Sequence, residues 1–111
     1  MVSNMQNQLP PLSHHVLFWL IEPNSSTDVN TLIAAINTLA NISTVRGMHV
    51  GVPAPTAEDA VIDSSYSVSL ILFFDDVEGE AFYQSHPLHL QFIENNSHLW
   101  HRVVVYDAIR T

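Results

Sequence analysis

The chain has 111 residues, of which 47% are apolar, and this length suits one domain with a hydrophobic core. Eleven acidic residues stand against three arginines and no lysine, and the formal charge is −8. Such a balance disfavours binding to nucleic acid or docking on an anionic membrane, because both need clustered cations. The absence of cysteine excludes disulfides, thiolate catalysis and cysteine-ligated zinc. We therefore expect a cytoplasmic protein.

The first 13 residues are rich in Asn, Gln, Ser and Pro. They lack the basic segment and the apolar run of a secretory signal. No apolar stretch of the chain reaches the roughly 20 residues that a membrane span requires. We interpret residues 1–13 as a flexible N-terminal arm and residues 14–111 as a single domain.

The apolar patterns predict four strands and two helices in the order β-α-β-β-α-β. The first helix is predicted to begin near Asp28, with Ser26 or Thr27 as its cap. The second begins after the Asp75-Asp76 pair, and Val77, Ala81 and Phe82 can share one apolar face of it. The strands are predicted over residues 14–21, 45–53, 66–74 and 101–109.

This order of elements predicts an α+β fold of the ferredoxin-like type, a four-stranded antiparallel sheet with both helices on one face. Both faces of its strands are apolar. In the first strand the two alternating sets are Val16, Phe18 and Leu20 on one side and Leu17, Trp19 and Ile21 on the other. Helices can cover one face only, and monomers seldom expose an apolar patch of that size. We therefore predict a homodimer in which two sheets pack face to face as a barrel.

The stretch FYQSHPLHLQF, residues 82–92, concentrates groups with exchangeable protons. A histidine can accept a proton near neutral pH, and a tyrosine hydroxyl can donate a hydrogen bond to a developing oxyanion. A helix that begins at Pro87 would make His86 its N-cap and place His89 in its first turn, where the helix dipole favours the neutral ring. Each residue also has a structural alternative: His86 caps the helix, His89 bonds a carbonyl, and Tyr83 packs.

A metal site is the weaker interpretation of the same histidines. His86 and His89 are three residues apart, but His14 and His15 of the first strand point to opposite faces of the sheet. At most one of those two could join them, whereas a zinc site uses three or four convergent ligands. The sequence predicts no metal and no cofactor.

Four stretches resemble the stress-responsive dimeric α/β-barrel (Dabb) family, and together they span about residues 14–107. They are HHVLFWL, LANISTVRGMHVG, YSVSLILFFDDVEGEAFYQSHPLHLQF and WHRVVVYD. The resemblance implies the same barrel-like dimer. A plant branch of the family contains polyketide cyclases that work without a cofactor, and their proton-transfer residues match Tyr83 and His89. A strand histidine of that branch matches His15, whereas this chain has Val68 where the branch has a further histidine.

Three functional hypotheses follow. The first is a stress-associated dimer that binds a small apolar or aromatic molecule in a cavity beside the sheet. The second is a cofactor-independent cyclase- or isomerase-like enzyme, in which His89 is the base and Tyr83 the acid. The third is a purely structural module. For the first two we predict ligand contacts from His15, His86, Phe18 and Phe92.

Overall fold

The computed structural model of the protein describes residue 5 and residues 7–111. The helices and strands are β1 (Leu12–Leu20), α1 (Ser26–Asn37), β2 (Gly47–Gly51), β3 (Val68–Phe74), α2 (Val77–Ser85), α3 (Pro87–Asn96) and β4 (Trp100–Ile109). Short 3-10 turns follow α1 and α3. The strands form one antiparallel sheet in the order β2-β3-β1-β4, which confirms the predicted ferredoxin-like fold.

The N-terminal boundary differs from the predicted one. Leu12 and Ser13 are the first residues of β1 because they pair with Phe74 and Phe73 of β3. The rest of the predicted arm lies partly outside the described residues, at positions 1–4 and 6.

Side-chain caps set the starts of the helices. The cap of α1 is Ser25, one residue before the predicted candidates, and its hydroxyl accepts a hydrogen bond from the Asp28 amide at 3.1 Å. Asp76 caps α2 through the Gly79 amide at 2.7 Å. The predicted second helix is divided at His86, whose extended backbone precedes Pro87. A proline disfavours helical geometry in the residue before it, so α2 ends and α3 begins there.

The helices cover one face of the sheet. Val16, Phe18 and Leu20 of β1 point into this face, as do Val68, Leu70, Leu72 and Phe74 of β3. The inner aromatic residue of α2 is Tyr83, which is 2% exposed, whereas the predicted apolar set of Val77, Ala81 and Phe82 is exposed. The two sides of the nine-residue helix α2 differ little in hydrophobicity, so its sequence did not determine which side faces the sheet.

The other face of the sheet carries no helix. Alternation along the strands places Leu17, Trp19, Ile71, Phe73 and Val104 on it, all partly exposed in the single chain. The end of the loop between β2 and β3 is tied to this side of β1 by hydrogen bonds from Trp19 Nε1 to Ser65 and from the Leu20 amide to Ser67, each at 3.0 Å. We call this surface the open face. Within the described part of the chain, none of the helices is both long and apolar enough to cross a membrane.

Candidate active site

A cavity of about 180 Å³ lies between the helix-covered face and the helices α2 and α3. It opens beside β4, at the edge of the sheet that the helices leave partly uncovered, where Val103 and Val105 are 45% and 44% exposed. The lining residues are His14, Val16, Phe18, Leu70, Tyr83, Gln84, His89, Phe92, Ile93, Trp100, Val103 and Val105. Apolar and aromatic side chains therefore form most of the wall, and a few polar groups converge on it, as is usual in ligand sites.

Tyr83 and His89 meet in this cavity. The helix break at Pro87 folds the start of α3 back on the end of α2, and the two rings lie 4.5 Å apart between centroids. His89 Nδ1 is 3.0 Å from the backbone oxygen of Gln84. A carbonyl oxygen only accepts, so Nδ1 carries the proton, and in the neutral ring Nε2 is left with its lone pair. Nε2 of His89 is therefore the hydrogen-bond acceptor of the neutral ring.

The surroundings keep both groups in their neutral forms. Burial lowers the pKa of His89 below its ordinary value, and the nearby His14 ring lowers it further, although the bond to Gln84 and the Glu80 carboxylate act in the opposite direction. Burial, reinforced by Glu80, raises the pKa of Tyr83 well above its ordinary value. At neutral pH the cavity therefore holds an unprotonated imidazole beside a protonated phenol.

His14 is the third polar group of the cavity. It lies on β1 in phase with Val16 and Phe18, is 3% exposed, and packs edge-on against the Tyr83 ring at 5.7 Å. Antiparallel register places Asp107 of β4 opposite it, and His14 Nδ1 donates to Asp107 Oδ1 at 2.6 Å. The carboxylate thus fixes the tautomer of His14 and directs the other ring nitrogen, Nε2, away from the strand pair.

Three polar atoms remain available to a ligand. Among the described residues, every fully buried side-chain polar atom has a hydrogen-bond partner. Within the same part of the chain, the Tyr83 hydroxyl and the Nε2 atoms of His14 and His89 have none. These three atoms are therefore not sealed in the core. Since all three residues line the cavity, they offer one hydroxyl group and two ring nitrogens to whatever occupies it.

Aromatic rings form the wall nearest β4. Phe18 and Trp100 lie 4.9 Å apart between ring centroids, and Phe92 stacks on Trp100 at 5.9 Å. Both Phe18 and Phe92, the predicted ligand contacts, line the cavity. The arrangement suits a flat apolar molecule.

The other two predicted ligand contacts lie elsewhere. His15 was expected beside Tyr83 and His89, but it lies on the open face, because side chains alternate along β1. There its Nε2 forms a hydrogen bond with Ser69 Oγ at 2.9 Å. His86 caps α3, with its Nδ1 accepting from the Leu88 amide at 3.1 Å, and it is not among the residues that line the cavity.

Other parts of the described chain hold no comparable site. No group of three or more His, Cys, Asp or Glu side chains in residues 5 and 7–111 is arranged to hold a metal ion. A larger open depression, of about 440 Å³, follows residues 54–64 of the loop before β3, but neither a histidine nor an aromatic ring lines it.

The sequence contained a signal for His14 and Asp107 that the prediction did not use. His14 is in phase with Phe18, itself predicted to contact the ligand, and this phase excludes His15. Asp107 ends the Val-Tyr-Asp stretch that marks the family resemblance. Its partnership with His14 depends on the register between β1 and β4, which the sequence does not specify.

The fold and the cavity define a small α+β domain whose site lies between the sheet and its helices. A family model described as the stress-responsive A/B barrel domain (Dabb) matches residues 12–110, and the chain belongs to this family.

Solved structures are similar over nearly the whole chain. A protein of Arabidopsis thaliana is 24% identical with a TM-score of 0.76, covering 91% of this chain and 96% of its own. The hydroxynitrile lyase of Passiflora edulis is 19% identical with a TM-score of 0.76, covering 92% and 94%. A dimeric ferredoxin-like protein of unknown function from Thermobifida fusca is 20% identical with a TM-score of 0.70, covering 92% of both chains. No curated protein matches the sequence.

Proposed function

We propose that this chain binds a small apolar or aromatic carbonyl compound in the cavity and moves a proton on it without a cofactor. The observation that carries the proposal is the pairing of His89 with Tyr83, 4.5 Å apart between rings, in an apolar cavity where the Tyr83 hydroxyl and His89 Nε2 have no partner among residues 5 and 7–111. A cavity of about 150 Å³ is enough for benzene, so about 180 Å³ accommodates one substituted ring.

In the proposed chemistry, His89 Nε2 removes a proton from the carbon next to the carbonyl group. The Tyr83 hydroxyl donates a hydrogen bond to the carbonyl oxygen as it becomes an enolate. The imidazolium then returns the proton, or the enolate carbon forms a bond to a second carbonyl before the proton returns. No electrons are gained or lost overall, so isomerisation and aldol closure both balance with these groups alone.

The lowered pKa of His89 and the raised pKa of Tyr83 support these roles, because a base must begin unprotonated and a donor must keep its proton. His14, held by Asp107, is a second acceptor on the strand side of the cavity. We assign it to orienting the ligand, the role that the family resemblance implied for His15.

Catalysis is favoured over binding alone by one structural relative. The Passiflora edulis protein is a hydroxynitrile lyase on the same fold. The same fold therefore supports catalysis in at least one other chain.

Proton exchange tests the proposal without knowledge of the natural substrate. The probe is meta-hydroxyacetophenone in deuterated buffer, with loss of its methyl proton signal followed by NMR. We expect the protein to accelerate exchange, His89→Gln to reduce the acceleration about 10²–10⁴-fold and Tyr83→Phe to reduce it about 10²–10³-fold. The exposed His98 provides the matched control, and His98→Gln should exchange at the original rate. A protein that neither binds the ketone nor accelerates its exchange would overturn the proposal.

We also infer that the chain forms a homodimer through the open face. Partly exposed apolar side chains such as Leu17, Ile71 and Phe73 share this face, and a second copy would remove them from water. The Thermobifida fusca relative and another from Jannaschia are dimeric proteins of this fold, which supports the inference.

A further inference from the structure

The three arginines of the chain lie away from the cavity. The sequence has three arginines and no lysine. Arg46 pairs with Asp75 at 3.1 Å before α2, and Arg102 stacks over Trp19 at 4.3 Å on the open face. Arg110 follows the last strand, and none of the three lines the cavity.

Carboxylates, in contrast, lie directly behind the cavity wall. Asp107 is 2.6 Å and Glu80 is 3.8 Å from Nδ1 of His14. The Glu80 side chain is only 19% exposed, so water screens its charge weakly. An anionic ligand would lose its hydration, approach the weakly screened Glu80 carboxylate and the half-exposed Asp107 carboxylate, and meet no guanidinium.

The lowered pKa of His89 means that its ring does not replace the missing guanidinium at neutral pH. Burial disfavours the charged form of His89, and the adjacent His14 ring disfavours it further. The unpartnered polar atoms instead suit an uncharged molecule with one acceptor and at least one donor, a carbonyl oxygen for the Tyr83 hydroxyl and a hydroxyl group for an imidazole Nε2.

We propose that the cavity selects neutral single-ring hydroxyaryl ketones and amides and rejects the corresponding carboxylates. This inference rests on the proposed function, because it names the class of compound that the same cavity would take. The selection follows from charge, since ketone, amide and carboxylate of one ring have nearly the same shape.

Three isosteric probes test the selection. They are meta-hydroxyacetophenone, meta-hydroxybenzamide and meta-hydroxybenzoate, measured by isothermal titration at about pH 7, where the benzoate is ionised. We expect the ketone and the amide to bind with similar affinity and the benzoate to bind at least about tenfold more weakly, because a buried charge without a partner is costly.

A variant that supplies the missing cation makes the test specific to the cavity. Val105 lines the opening and is half exposed, so a long side chain there can reach the ligand while its end stays near water. Val105→Arg should strengthen benzoate binding about tenfold or more relative to Val105→Gln, which adds a polar side chain without charge. The ketone should bind both variants alike.

The outcomes separate the two proposals. Benzoate binding as tight as the ketone in the unmodified protein would overturn the selection for neutral compounds and leave the proposed function standing. Equal benzoate affinity in the Val105→Arg and Val105→Gln variants would also overturn it. Binding of none of the three probes would overturn the proposed function and this inference together.

Discussion

The two faces of the sheet are made from the same strands and are both apolar, yet they hold polar groups in different ways. On the helix-covered face, His14 is bonded to a carboxylate and His89 to a backbone carbonyl, so each ring has one defined tautomer and one available nitrogen. On the open face, His15 bonds the hydroxyl of Ser69, which accepts or donates, and therefore leaves the tautomer of His15 open.

His14 and His15 are neighbours in sequence, and only the alternation of β1 separates their surroundings. The difference shows that the chemistry of a histidine here depends on its face and not on its place in a motif. We infer that the helix-covered face provides the site and the open face provides the assembly. The predictions below test this division between the two faces.

The largest contrast is expected at adjacent phenylalanines of β3. Phe74 is fully buried among the helices, with its ring 5.3 Å from that of Tyr83, whereas Phe73 points to the open face. Phe74→Ala should lower the free energy of unfolding by about 3–5 kcal/mol through the cavity it creates. Phe73→Ala should cost less and, in denaturant titrations, its cost should grow with protein concentration, because only a dimer buries this ring. Equal costs independent of concentration would contradict the division between the faces.

The open face itself is tested by a charge at its centre. Ile71 pairs with His15 of β1 and with His49 of β2 in the sheet register. Ile71→Asp should weaken the dimer by about 2–5 kcal/mol, because the interface would bury an unpaired charge, and sedimentation should then show monomers. Val77→Asp, on the exposed side of α2, is the matched control and should leave the dimer intact. An unmodified protein that sediments as a monomer would refute the assignment of the open face.

The sequence predicts which residues lie on each face best for elements that are long and whose two sides differ clearly in hydrophobicity. In β1 and β3 the alternation of side chains correctly predicted the strands and the residues that face the helices, because it continues without interruption over nine and seven residues. The break at Pro87 was predictable as well, since proline restricts the residue before it. Helix α2 is too short and too polar for the same treatment, so its sequence did not show that Tyr83 faces the core while Val77, Ala81 and Phe82 are exposed.

The candidate site was predicted only in part, because it is assembled from distant segments. Tyr83 and His89 belong to one stretch of sequence, and their proximity needed only the helix break. The pair His14 and Asp107 is 93 residues apart and exists because β1 lies between β3 and β4. The resemblance placed a strand histidine in the site but matched His15, one residue out of phase, and a shift of one residue on a strand changes the face.

The two strand histidines give a third contrast, in ligand affinity. His14→Gln should weaken binding of meta-hydroxyacetophenone about two- to tenfold in isothermal titration, which is the effect of losing one net hydrogen bond. His15→Gln should leave this affinity unchanged, because its side chain is on the other face. Asp107→Asn should have an effect smaller than that of His14→Gln, since it releases the ring without removing it. An equal loss in the His14 and His15 variants would show that the affinity does not depend on the face.

The smallest contrast is the response of stability to acid. Burial lowers the pKa of His89, and burial together with His49 lowers that of His15, both from 6.5. As the pH falls through 6.5, the unfolded chain binds protons at these positions while the folded chain does not. The folded state is therefore favoured above this value and loses stability on acidification, by at most about 1.4 kcal/mol per pH unit for each histidine, less where the ring is exposed.

Chemical denaturation at about pH 7.5 and about pH 5.5 measures this response above and below the ordinary histidine pKa. His89→Gln and His15→Gln should each reduce the loss of stability between the two conditions, and exposed His98→Gln should not. The contribution of His15 should also depend on protein concentration, because pairing through the open face would bury it further, whereas that of His89 should not. If both contributions were independent of concentration, His15 would lie outside the dimer interface, and the interface would have to be sought elsewhere on the chain.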